Sequence, residues 1–259
     1  MSDAFLPGYL GPDQPLYGLE HQSRDGKRAL YTSAENIAAH YLKEICTVQP
    51  EGPYFLGGYC FGGTVALEMT QQLREQGQET ALLVMLNPPD PTPNLHNTLP
   101  RVLLFGNNLY RHFPSLGLLR PQEKLTYVLE TVKRKLEETI IRIKEAGKSI
   151  AKSVVCKIYL GLGYLLPPFV RSFYILSIYD RARRDYVPQI YPGRLIIFKG
   201  AGDSCDPQTW ERLAAGGLEI HEVPGGHVNI LKEPHVQVWA EQLKDYLQKN
   251  QTVVSRSQT

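Results

Sequence analysis

Residues 53–76 constrain this chain more than any other stretch. An apolar run, Pro53 to Gly57 (PYFLG), leads through Gly58-Tyr59-Cys60-Phe61-Gly62-Gly63 straight into an amphipathic segment carrying Val65, Leu67, Met69 and Leu73, with Gly77 just beyond it. The first run predicts a strand, and Phe61 to Gln76 predicts a helix ended by its glycine stop. A strand passes into a helix this abruptly only if the residues flanking the bend are small. Glycines at 58 and 62 let the turn close while residue 60 takes a strained backbone and projects its side chain outward. Strand followed at once by helix is the repeating unit of a parallel sheet wrapped by helices.

The rest of the chain extends that α/β pattern on both sides. Leu16 to Leu19 predicts a strand. Ser33 reads as the N-cap of a helix through about Ile45, with Ile37, Ala38, Tyr41, Leu42 and Ile45 at helical spacing. Ala81 to Leu86 (ALLVML) is wholly apolar and belongs in mid-sheet. Alternation then stops at the proline-rich NPPDPTP and resumes only near Pro192. Between them Glu123 to Ala151 predicts a charged amphipathic helix. After the gap come a strand at Arg194 to Lys199, a short helix at Pro207 to Ala214, a strand at Leu218 to Glu222, a tight turn at Pro224 to Val228, and a closing helix at Glu233 to Gln248. We expect one domain, with its core in 1–93 and 186–249, an insertion at 94–185, and a frayed tail at 250–259.

Composition narrows the function classes. With 259 residues, 42% of them hydrophobic, the chain can bury one substantial core. Its 28 basic against 26 acidic residues argue against a nucleic-acid surface. Cys46, Cys60, Cys156 and Cys205 have neither CxxC pairing nor metal-ligand spacing, so reduced thiols in the cytoplasm and no bound metal are expected. The start, MSDAFLPGYLGPDQP, lacks a basic segment followed by an apolar one, which predicts no secretory leader. Val154 to Tyr179 is apolar, but Lys157, Arg171 and its glycines and prolines keep it below the roughly eighteen apolar residues that a bilayer span requires.

The chemistry centres on Cys60. The pattern Gly58-x-Cys60-x-Gly62 is a nucleophile elbow of the G-x-S-x-G type with cysteine at the reactive position. The helix N-terminus beneath it is expected to favour thiolate, and the Phe61 backbone N–H to bind an oxyanion. Of the seven histidines, His227 in Val223-Pro224-Gly225-Gly226-His227 follows a late strand and precedes the last helix, as a general base in this order should. His221 and His235 read as structural. The residue that orients His227 is left among three: Asp203 after the strand at 194–199 is preferred slightly over Asn87, and Asp90 comes third.

Several segments together resemble the thioesterase domains of nonribosomal peptide and polyketide synthetases. They are Leu10-Gly-Pro-Asp-Gln-Pro-Leu-Tyr-Gly-Leu, Gln49 through Gly63, Tyr191-Pro-Gly-Arg-Leu-Ile-Ile-Phe, Asp206-Pro-Gln-Thr-Trp210, and Gly217 through His227 into Glu233-Pro-His-Val. The resemblance covers nearly the whole chain except roughly residues 94–185. It implies an α/β-hydrolase fold with a helical lid in the insertion. It also implies release of an acyl or peptidyl chain from the 4'-phosphopantetheine arm of a carrier protein, with no cofactor bound, by a monomer or a part of a synthetase. Three departures stand out. Residue 60 is serine in most relatives, and position 87 usually holds the catalytic aspartate. Relatives also begin with another apolar strand and a His-Gly-type loop that gives a second oxyanion N–H. The likeness here starts after that element, so half of the usual oxyanion hole is expected to be lacking or to lie upstream, where one lost donor costs on the order of a hundred- to a thousand-fold in rate.

The expected reaction is covalent: His227 deprotonates Cys60, the sulfur takes the acyl group, and water, a hydroxyl or an amine removes it. Because thioester is exchanged for thioester, the intermediate stays activated, which favours aminolysis, cyclisation or transfer. Aromatic residues of the insertion (Phe105, Tyr110, Phe113, Tyr159, Tyr164, Phe169, Phe173, Tyr174, Tyr179) either line an acyl channel or pack the lid. Two alternatives remain: a catalytically impaired α/β-hydrolase-like binding module, and a cysteine hydrolase of small esters or lactones.

Overall fold

The computed structural model describes residues 6–91, 121–203 and 205–257. These residues fall into two compact units, the first within Met1–Gln22, Ala29–Pro93 and Leu176–Thr259, the second within Ser23–Arg28 and Asn94–Ile175. In chain order the elements are α1 (Leu6–Leu10), α2 (Ala34–Val48), β1 (Tyr54–Tyr59), α3 (Phe61–Glu75), β2 (Thr80–Leu86), α4 (Pro121–Gly161), α5 (Pro168–Asp185), β3 (Leu195–Gly200), α6 (Pro207–Leu213), β4 (Leu218–Val223) and α7 (His235–Ser257).

The four strands form one sheet in the order β1-β2-β3-β4, and every neighbouring pair is parallel. Alternation along β2 explains why it had to be wholly apolar. Leu82, Val84 and Leu86 join Ile196, Phe198 and the α7 residue Trp239 on one face, while Leu83 and Met85 join Leu195, Ile197, Leu67 and Trp210 on the other. Helix α3 is covered on two sides. Ala66 and Leu67 meet the sheet, and Phe61, Val65, Met69 and Leu73 meet Ile37, Ala38 and Leu42 of α2. Ser33 caps α2 by accepting a hydrogen bond from the Asn36 N–H at 3.2 Å.

Three local expectations change. Leu16–Leu19 is not a strand: Leu16, Tyr17 and Leu19 are largely exposed, and the segment has no sheet neighbour among the described residues. The last helix starts only after Pro234 and continues through Ser257, across most of the segment expected to fray. The charged helix of the insertion is longer than its periodicity suggested, at 41 residues.

In the second unit Phe173 and Tyr174 pack against Cys156, Leu166 and Val170, whereas Tyr164, Leu165 and Phe169 are exposed. The insertion's aromatic residues thus divide between packing and surface. Phe105, Tyr110 and Phe113 lie outside the described residues. No helix, among the described residues, is long and apolar enough to cross a membrane.

Phe198 is fully buried between the sheet and Trp239. Phe198→Ala is expected to lower the unfolding free energy by about 3–5 kcal/mol, read from denaturant titration. Ser33→Ala, which removes a single cap, should cost about 1 kcal/mol.

Candidate active site at the strand ends

The sheet register brings Tyr59, Leu86, Phe198 and His221 into one row across the four strands. The residues just beyond that row therefore emerge at one edge, the carboxyl edge where ligands of open parallel sheets bind. Cys60 follows β1, Asn87 follows β2, Asp203 lies three residues past the end of β3, and His227 lies four past the end of β4.

Cys60 sits at φ 52° and ψ −125°, at the N-terminus of α3. A non-glycine residue in such a conformation is strained, and the surrounding backbone holds it there. Its N–H donates to the Leu86 carbonyl at 2.8 Å, and its own carbonyl accepts from the Gly63 N–H at 3.0 Å. Gly58 explains the tightness of the bend: a Cβ there would stand 2.1 Å from the Gly62 carbonyl oxygen. Gly62 itself is under no such pressure, since a Cβ at that position meets nothing within 4 Å. The steric demand expected of both elbow glycines thus falls on Gly58.

Burial pushes the Cys60 thiol above its ordinary pKa, against the expectation of a thiolate. The Phe61 N–H and the Arg183 guanidinium pull the other way, and burial outweighs both. Cys60 is therefore a thiol at rest. Arg183, on α5 and paired with Asp180 at 3.2 Å, was not foreseen.

Tyr59 links this elbow to the loop of His227. Its hydroxyl donates to the His227 carbonyl at 2.5 Å, and the two rings lie 5.0 Å apart between centroids. Burial raises the Tyr59 phenol, and the charges of Cys60 and Asp203 raise it further. The loop that carries His227 needs glycine at 225: φ is +90°, and a Cβ would stand 2.8 Å from the ring of His235. Among the described residues the His227 imidazole has no hydrogen-bond partner. His221 bonds instead to the Tyr246 hydroxyl at 2.8 Å, as a structural histidine would.

A cavity of about 140 Å³ is lined by Asn87, Pro88, Pro89, Asp90, Lys199, Asp203, Cys205 and His227. All three acid or amide candidates thus share one hollow with the imidazole, while Cys60 lies outside its lining. The three differ in what they still offer. Asp90 accepts from the Asp206 N–H at 3.2 Å. Asn87, buried and at φ 44°, accepts from the Gly200 N–H at 2.6 Å through Oδ1, which leaves only the donor Nδ2. Asp203 keeps a buried carboxylate oxygen with no partner among the described residues.

A parallel sheet flanked by helices, with a strained residue at a strand-to-helix bend and a histidine beyond the last strand, defines an α/β-hydrolase-like domain. The chain belongs to the thioesterase domain family, whose model matches residues 6–246. It is 40% identical over 252 residues to malpibaldin synthetase of Mortierella alpina, covering 95% of this chain and 4% of that protein. It is 28% identical over 243 residues to a dimodular nonribosomal peptide synthase of Bacillus subtilis (strain 168), covering 88% of this chain and 9% of that one. The chain therefore spans only a small fraction of these relatives. Among solved structures it is similar to AB3403, a four-domain nonribosomal peptide synthetase bound to AMP and glycine, at TM-score 0.54 and 26% identity over 86% of this chain and 17% of that one. The RedJ thioesterase of Streptomyces coelicolor, at TM-score 0.55 and 16% identity over 95% of this chain and 80% of that one, shares the fold.

Two outcomes follow from the elbow. Gly58→Ala is expected to abolish the soluble fold or the reactivity of Cys60, while Gly62→Ala leaves melting temperature and thiol labelling close to the parent. Alkylation of Cys60 by iodoacetamide, followed by intact mass, should keep rising with pH beyond the point at which free cysteine levels off. Arg183→Gln should move that rise to still higher pH, because it removes a cation that favours thiolate.

Proposed function

We propose that this chain releases an acyl or peptidyl group from the phosphopantetheine thioester of a carrier protein, through a thioester on Cys60. The observation that carries the proposal is the geometry of Cys60: a half-buried cysteine on a strained bend at a helix N-terminus, tied through Tyr59 to the loop of His227. Membership of the thioesterase family and relatives that are nonribosomal peptide and polyketide synthetases support the substrate class.

In the proposed reaction His227 takes the proton from the Cys60 thiol as the sulfur attacks the thioester carbonyl. The developing oxyanion is met by the Phe61 N–H, and the pantetheine thiol leaves with the proton held by His227. An acceptor O–H or N–H then gives its proton to His227 and takes the acyl group, which restores the Cys60 thiol. With water the products are the free acid and the carrier thiol; with an amine or hydroxyl they are an amide or ester, linear or cyclic.

For His227 to present a basic Nε2, its Nδ1 must carry the proton and needs an acceptor. Asp203 offers an unpaired carboxylate oxygen beside the same cavity, while the acceptor of Asn87 is engaged by Gly200. Asp203 is accordingly the preferred third member. One observation favours a rival reading, a carrier-binding module without turnover: the imidazole is unpartnered among the described residues, and Cys60 does not line its cavity.

Acyl-pantetheine thioesters with intact-mass detection separate the two. A covalent adduct that is lost in Cys60→Ala, and that forms at least a hundred-fold more slowly in His227→Ala, is the expected result. If no thioester acylates the parent protein under any condition, the enzyme reading fails and the module stands.

A further inference from the structure

Gly200 ends β3 at a point where three loops meet. A Cβ on it would stand 2.4 Å from the Gly225 carbonyl, 2.7 Å from Asp203 Oδ2 and 3.1 Å from Asn87 Nδ2. The last two atoms are therefore no further apart than those two distances combined. Both are buried, and among the described residues neither has a hydrogen-bond partner. One is a donor and the other an acceptor. Buried polar groups without partners are costly and uncommon, and two of complementary sense at one point call for an explanation.

The amide of Asn87 can face only one way. Oδ1 must point at the Gly200 N–H, from which it accepts at 2.6 Å, so Nδ2 is turned towards the space beside Gly200. The backbone of Asn87 is fixed as well, by its N–H donating to Phe198 at 2.8 Å. Asp203 is the freer partner: its N–H donates to the Gly200 carbonyl at 3.1 Å, but its carboxylate has no side-chain anchor among the described residues.

We infer, on the footing of the Asp203 assignment above, that Asn87 is a positioning residue which holds the Asp203 carboxylate through an Nδ2–H to Oδ2 hydrogen bond. A rotation of the carboxylate closes the pair and leaves Oδ1 of Asp203 to accept from His227 Nδ1–H. The lack of charge on residue 87 then has a purpose. An amide donates to the acid on the neighbouring strand, where a second carboxylate would repel it. Glycine at 200 has one too, because any side chain there would fill the space in which the two groups meet.

The variant Asn87→Asp keeps the size of the side chain and the acceptor for Gly200, and replaces the donor by a carboxylate. Its acylation rate relative to the parent should fall about ten- to a hundred-fold at pH 8, the scale at which supports of a reactive group usually act. The ratio should recover as pH is lowered, because a proton shared between two carboxylates restores a donor. A ratio flat in pH, or a variant as fast as the parent, overturns the inference. A second measurement does not depend on turnover. In amide nitrogen–proton NMR spectra the side-chain NH₂ of Asn87 should be shifted and protected from exchange, and Asp203→Ala should remove both effects while sparing the Gly200 backbone signal. If Asp203→Ala leaves the Asn87 signals unchanged, the pair does not exist, whether or not Cys60 is ever acylated. If the signals respond but no thioester acylates Cys60, the pair stands and the catalytic reading falls.

Discussion

A single backbone approach, Gly58 against Gly62, holds the site together. With no side chain at 58, the end of β1 and the first turn of α3 come close enough for Cys60 to bridge them at positive φ. The strain is opposed by two hydrogen bonds of Cys60, one of which reaches the last residue of β2. The bend is therefore fastened both to the helix it begins and to the neighbouring strand. Because that strand pairs in parallel with β3, and β3 with β4, the position of the sulfur is carried across the sheet to the loop of His227.

Much of this was legible in the chain. β1, α3 and β2 could be read because sharp changes of composition bound them and their apolar residues follow a clear period. Ser33 was recognisable as a cap because its place before a periodic helix has one obvious use. The segment Leu16–Leu19 misled for the opposite reason. Four residues of strand composition carry no information about whether a neighbour exists to pair with them. The closing helix outlasted its apolar pattern, since polar residues such as Gln248, Asn250 and Gln251 continue a helix that is already nucleated.

The candidate residues were legible in the sequence as candidates, and their electrostatics less so. Cys60 and His227 follow from motif and order. The protonation of Cys60 does not, because the helix terminus and the burial act in opposite directions, and their balance depends on what packs above the sulfur. Next to Cys60 in the chain, Phe61 packs at 4.9 Å between ring centroids with Tyr179, from an element more than a hundred residues away. Tyr59 was passed over because an aromatic residue at the end of a strand reads as ordinary half-buried packing. Only the fold brings its hydroxyl to the His227 carbonyl. The choice among Asp203, Asn87 and Asp90 was undecidable from sequence for a related reason: each has a suitable functional group, and what separates them is which atoms are already engaged.

The direction of the Cys60 shift bears on the proposed chemistry. In acyl exchange between thiols, the thiolate of higher pKa is the stronger nucleophile and the poorer leaving group. Under the proposed reaction, a half-buried Cys60 whose pKa lies above the ordinary value would, between thiolates, hold the acyl group in preference to an exposed thiol in water. The same partial burial limits the contact of the sulfur with water. Its cost is that the resting thiol must be deprotonated, which makes the base indispensable and gives weight to every contact that aims it. In that light the Tyr59 tether, the glycine that admits His235 behind the base loop, and the crowded junction at Gly200 are parts of one device. On the proposed reading each constrains the imidazole or the Asp203 carboxylate, because a thiol that must be deprotonated depends on a correctly held proton acceptor.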